Sequence, residues 1–158
     1  MRILFFLLGL LCVGWVHAER LAGVVIVVID GDTVLFRPDH YSAASRAFLK
    51  LRLAGIDAPE TGQPYGEAAT QALRMLALKR RAVADIVATD VYGRKVGHLE
   101  IGGTDVNRDM VARGHAWASP RATRDLRAAE AEARHLRAGL WVDADAVPPW
   151  VWRRVSHR

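Results

Sequence analysis

Three short segments gather carboxylates and arginines at turns or strand ends, where reactive side chains are commonly placed. They are Asp30-Gly31-Asp32-Thr33, the run from Arg52 through Asp57-Ala58-Pro59-Glu60-Thr61, and Asp90-Val91-Tyr92-Gly93-Arg94. Together these residue types suit attack on a phosphodiester. Such a reaction needs a hard cation at the phosphoryl oxygen, a carboxylate to activate water, and cationic donors for the growing charge. Two aspartates from different segments plus a backbone carbonyl make an oxygen-only site, which suits Ca²⁺ rather than zinc. A further carboxylate stays free as base. Arginine fits the donor role better than lysine, because its planar fork reaches two phosphate oxygens at once. Taken singly, each segment has a plainer reading: Asp-Gly as a turn, Asp-Ala-Pro-Glu as a loop entering a helix, Tyr-Gly-Arg as a hairpin tip.

The elements that must position these residues come in mixed order. Leu21 to Ile29 and Thr33 to Arg37 are β-like runs around the Asp30-Gly31 turn signal, and Leu49, Leu51 and Leu53 alternate with Lys50, Arg52 and Ala54 as in a half-buried strand. Ala69, Ala72, Leu73 and Leu76 mark an amphipathic helix over 66–78, ended by Lys79-Arg80-Arg81. Two strands follow, Ala82 to Thr89 and Lys95 to Ile101, and then a short helix from Asp105 to Arg113 with Gly114 just past its end. Ser119-Pro120 is expected to open a last helix with Leu126, Ala129, Ala133, Leu136 and Leu140 as its buried stripe. The expected fold is α+β, mainly a five-stranded OB-type barrel with about three helices packed outside. The prolines of Pro148-Pro149-Trp150-Val151-Trp152-Arg153-Arg154 argue for an extended tail, over about 142–158, strapped across the barrel.

The chain has 158 residues, a net charge of +5 and a pI near 10.0, which fits one basic domain. Met1 to Ala18 has one charge, Arg2, and an apolar run from Ile3 to Val16 that is shorter than the roughly 20 residues of a bilayer span. Met1 to Ala18 therefore reads as a secretory signal peptide, with residues 19–158 as a single exported domain and a secreted or periplasmic location. Cys12, the one cysteine, would leave with it; Leu11 directly before it is too large for the usual lipid-attachment pattern. Loss of the thiol excludes disulfides, a cysteine zinc site and a thiol nucleophile. Without Arg2 the net charge is +4, which suits an anionic partner.

In combination, Val28-Ile29-Asp30-Gly31-Asp32-Thr33, Arg52-Leu53-Ala54-Gly55-Ile56-Asp57-Ala58-Pro59-Glu60-Thr61 and Thr89-Asp90-Val91-Tyr92-Gly93-Arg94 resemble the staphylococcal nuclease (thermonuclease) family. The resemblance runs on through Val106-Asn107, Gly114-His115-Ala116-Trp117, the Leu126 to Trp141 stretch and the Pro-Pro-Trp tail. It implies a Ca²⁺-dependent endonuclease on an OB barrel, a monomer that cleaves DNA and RNA, single strands preferred, to 3′-phosphates. Carried over by motif, Asp32, Asp57 and the Ala58 carbonyl correspond to metal ligands, Glu60 to the general base, Arg52 and Arg94 to the phosphate-clamping arginines, and Tyr92 to a phosphate contact. Asp30 matches a carboxylate near the metal but outside its ligand set, and Thr33 a residue that holds a bound water.

The sequence also departs from the family pattern. Ala58 replaces a common Thr, Val91 a common Lys, the loop between Thr61 and Tyr65 is short, and Trp117-Ala118-Ser119-Pro120-Arg121 supplies no pair of nucleotide-pocket tyrosines. His40, His98, His115, His135 and His157 lack ligand spacing. Trp117 and Trp141 read as core, and Lys79-Arg80-Arg81 and Arg153-Arg154 as solvated charge, with nonspecific phosphate affinity as the alternative for either run. The competing reading is a nucleic-acid-binding OB module without catalysis, set against the full retention of Asp32, Asp57, Glu60, Arg52 and Arg94.

Overall fold

The computed structural model describes residues 19–42 and 47–156. The expected signal peptide and His157 lie outside the described residues. Strands β1 (Glu19–Val28), β2 (Thr33–Pro38) and β3 (Leu49–Leu53) form an antiparallel meander, and β5 (Arg81–Thr89) and β6 (Lys95–Ile101) extend the sheet from the far side of β1. A parallel pairing of β3 with β6, Leu51 opposite Lys95 and Leu53 opposite Gly97, closes the five strands into the expected OB barrel. Closure leaves those five strands without a free edge between them. Two-residue strands complete the sheets: β7 (Thr104–Asp105) pairs with β6, and β4 (Ile56–Asp57) with β8 (Trp117–Ala118).

Alternation sends Leu51 and Leu53 of β3 into the core and leaves Lys50 and Arg52 outside, as the spacing predicts. Register shifts between Val25 and Val27 on β1, and between Ile86 and Ala88 on β5, bend these strands around the barrel. The interior is filled by Val25, Val34, Phe36, Leu51, Leu53 and Leu99, all essentially inaccessible.

Helix α1 (Gly66–Ala77) packs Ala69, Leu73 and Ala77 onto this core, with Ala72 and Leu76 at its margin. Helix α2 (Val106–Ala112) starts at Asp105, whose carboxylate accepts the Arg108 N–H at 3.0 Å. Fully buried Asn107 ties α2 to the barrel: its side-chain oxygen accepts the Leu99 N–H, and its amide donates to the Ala54 and Gly97 carbonyls.

The third helix starts later than expected. Residues 117–118 are committed to pairing with β4, the Ser119 N–H donates to the Gly55 carbonyl, and Ser119-Pro120 forms a turn closed by the Ala122 N–H. Helix α3 is therefore Arg124–His135, capped by Thr123. Leu126, Ala129 and Ala133 are its buried stripe; Leu136 is exposed, and Leu140 is buried from a separate 3₁₀ turn, Gly139–Val142.

The expectation of an extended tail is overturned. Residues Pro149–Ser156 form a fourth helix, α4. Proline is costly inside a helix but fits its first position, where its missing N–H has no intrahelical partner to lose. The Pro148 carbonyl accepts the Val151 and Trp152 N–H groups. Trp150 packs beside Trp117, Ala133, Leu140 and Trp141, with the Arg134 guanidinium 3.8 Å above the Trp141 ring. Among the described residues no helix is long and apolar enough to cross a membrane.

Replacing Asn107 with alanine removes the side-chain partner of the Leu99 N–H and the Ala54 carbonyl, while the Gly97 carbonyl keeps the Ala54 N–H, and should cost about 2 to 4 kcal/mol. Urea unfolding checks this; an unchanged midpoint would contradict the role assigned to Asn107.

Candidate active site

The β1–β2 connection is short because Asp30 builds it: its carboxylate accepts the Asp32 N–H at 3.0 Å, while the Ile29 N–H donates to the Thr33 carbonyl. Gly31 allows this turn to lie against the next loop, since a Cβ there would come within 2.6 Å of the Ala58 Cβ and 2.9 Å of the Ala69 Cβ. Asp32 is thereby buried, 4% exposed. One of its oxygens accepts from Arg52 Nη1 at 2.7 Å and the Thr33 hydroxyl at 2.9 Å, and the other from the Ala58 N–H at 3.1 Å.

Arg52 sits opposite Thr33 in the β2–β3 register. Its second nitrogen, Nη2, donates to Asp57 at 2.9 Å, so a single guanidinium spans both buried aspartates. Asp57 is fixed from the other side by pairing with Trp117 on β8. Two residues past Ala58, the Glu60 N–H donates to the Gln63 side chain, and the Glu60 carbonyl accepts the Gln63 N–H. Gly66 lets α1 abut this loop, since a Cβ there would lie 1.9 Å from the Glu60 carbonyl oxygen.

Arg94 comes from the β5–β6 turn. The Asp90 carboxylate accepts the Tyr92 and Arg94 N–H groups and also Arg94 Nε at 2.7 Å, which fixes both the turn and the arginine. Tyr92 is exposed, and its ring lies 5.5 Å from the Arg94 guanidinium.

These segments surround one open cavity of about 670 Å³. Asp32, Arg52, Ala58, Glu60, Tyr92 and Arg94, all selected from the sequence, line it together with Asp30, Pro59 and Lys50. Asp57 does not reach the lining. Its carboxylate is covered by Arg52 and by Arg153 of α4, which the sequence reads as solvated charge or a nonspecific phosphate contact and not as a partner of this carboxylate. Arg153 donates to Asp57 at 2.7 and 3.2 Å and to Glu60 at 2.5 Å, and it too lines the cavity. It stands 96 residues from Asp57, and the signal that would have placed it was the helical reading of the tail.

Among the described residues no group of three or more His, Cys, Asp or Glu is placed to hold a metal. A cation here would rest on two carboxylates, backbone oxygen and water. That donor set is all oxygen, with Asp32 and Asp57 drawn together on one guanidinium, and it fits a hard divalent ion. Burial pushes the Asp32 carboxyl up to about 7; Arg52 opposes the shift, while Asp30 and Asp57 add to it.

A β barrel that gathers buried aspartates, a glutamate and several arginines at one open cavity defines a phosphodiester-cleaving nuclease. Residues 50–143 match the model of the staphylococcal nuclease homologue family, and the chain belongs to that family. Protein ParB of Escherichia coli is 38% identical over 151 residues, 87% of this chain and 82% of that protein. A protein described as an uncharacterized endonuclease in Escherichia coli O157:H7 is 38% identical over 134 residues, 83% of this chain and 84% of its own length. A micrococcal nuclease of Shigella flexneri is 36% identical over 147 residues, 85% of this chain and 81% of its own length.

The raised Asp32 carboxyl has a definite sign in stability. Between about pH 4 and about pH 7 the folded chain holds a proton that the unfolded chain has released, so Asp32 costs stability progressively as the pH rises through that window. In a chelator, Asp32→Asn should gain on the wild type across it, by on the order of 3 kcal/mol. Denaturant unfolding at several pH values reads this difference; a gap independent of pH would contradict it.

Proposed function

We propose that this nuclease is Ca²⁺-dependent and hydrolyses DNA and RNA, preferring single strands, to 3′-phosphate ends. The observation that carries the reading is the convergence of Asp32, Asp57, Arg52, Glu60 and Arg94, from three separate segments, on one cavity or its floor. Asp32, Asp57 and the Ala58 carbonyl would hold the ion, which supplies Lewis-acid polarisation of the phosphoryl oxygen. Glu60, partly exposed and at the cavity wall, takes a proton from the attacking water. The new bond joins water oxygen to phosphorus, the bond to the 5′-oxygen breaks, and a proton passes to that leaving oxygen. Arg52 and Arg94 offer forked donors to the equatorial oxygens as charge builds there. Tyr92, at the cavity edge, contacts a neighbouring phosphate. Export of residues 19–158 as a monomer after loss of Met1–Ala18 belongs to the same proposal.

Glu60→Gln preserves size and removes the base. Turnover on single-stranded DNA with Ca²⁺ should fall by about 10²- to 10⁴-fold, with product ends typed as 3′-phosphates in the wild type. Wild-type turnover in the variant, or full activity of the native protein in excess chelator, would overturn the assignment. Mg²⁺ should substitute poorly, because it demands a tighter octahedral shell.

A further inference from the structure

Arg153 is the one cavity cation delivered by the tail, and its aim is set by packing. Trp150 is seated in the Trp117–Trp141 cluster, the Pro148 carbonyl holds the first turn of α4, and Gln63 donates to the Val147 carbonyl just before it. One α-helical position further on, Arg154 is exposed, whereas the Arg153 side chain is 39% accessible and turned into the cavity. Gln63 also accepts the Glu60 N–H, so one side chain fixes both the Glu60 loop and the root of α4.

The present partners of Arg153 are the two carboxylates that have other tasks in the proposed reaction. A carboxylate has about four lone-pair positions. On Asp57, Arg52 takes one and Arg153 takes two, which leaves little for a cation; on Glu60, Arg153 occupies an oxygen that water must reach. Once Asp57 faces a cation and Glu60 faces water, the Arg153 guanidinium must find other oxygens within the same cavity. The acceptor that enters there is a phosphodiester, and a planar fork suits two of its oxygens. Resting on the nuclease reading above, we propose that Arg153 is a third phosphate-binding arginine of this site. In the absence of substrate it is parked on Asp57 and Glu60.

The test measures binding of a short single-stranded oligonucleotide whose 5′-bridging oxygens are replaced by methylene, which keeps the charge and blocks cleavage. Binding is followed with Ca²⁺ over a series of salt concentrations. Arg153→Gln should weaken binding about tenfold or more and reduce the slope of log affinity against log salt by about 0.7, one phosphate contact. Arg153→Lys should restore the slope with only part of the affinity, and Arg154→Gln should change both much less. Near-ultraviolet circular dichroism of the tryptophans confirms that α4 stays docked in each variant. An unchanged slope in Arg153→Gln, while Arg94→Gln loses its contact, overturns this inference alone. Tighter binding by Arg153→Gln also overturns it and makes the residue a plug. Failure of the wild-type protein to bind the strand overturns both this inference and the nuclease reading.

Discussion

The site depends on one guanidinium shared by two buried carboxylates. Asp32 and Asp57 are each 4% exposed, and Arg52 reaches them at 2.7 and 2.9 Å. Without that fork, two anions would be removed from water side by side, and the cost of desolvating them would fall on the fold. With it, each aspartate has a cationic partner, and Arg153 adds a second guanidinium on Asp57. Burial still raises the Asp32 carboxyl, with Arg52 opposing the shift. The same guanidinium that stabilises the pair is exposed enough to meet a phosphate, so structural and chemical roles are joined in one side chain.

The barrel exists, from the site's point of view, to hold Arg52 at that point. The β2–β3 register puts Thr33 across from Arg52, the Leu53 N–H donates to the Asp32 carbonyl, and the β4–β8 pairing brings Asp57 to the other nitrogen. Asn107 secures the carbonyl of Ala54, at the bend between β3 and β4, against the inside of α2. Arg94 and Tyr92 ride on a turn that Asp90 organises, and Arg153 rides on a helix docked by tryptophan. The cavity thus has a buried floor carried by strands and a more exposed rim of side chains.

Much of this was legible in the sequence because it is local. Period-two alternation located β3 and its outward Arg52, and the Asp-Gly and Tyr-Gly-Arg signals located the turns that carry Asp32 and Arg94. Parallel closure of β3 onto β6 is a long-range pairing that residue patterns within either strand do not encode. The start of α3 was misplaced because Ser119-Pro120 has the chemistry of a cap, while residues 117–119 are held by the β4 region. The tail was misread because proline was treated as a helix breaker at a position where it begins one. That single error hid the contact of Arg153 with Asp57 and Glu60, 96 and 93 residues away in sequence.

The central claim is that Asp32 and Asp57 act as one cation site organised by Arg52. Calorimetric Ca²⁺ titration of the wild type, Asp32→Asn, Asp57→Asn and the double variant tests it directly. If the two carboxylates form one site, each single substitution should abolish most of the affinity, and the double should lose little more than either alone. Strictly additive losses, or wild-type affinity in either single variant, would contradict the account.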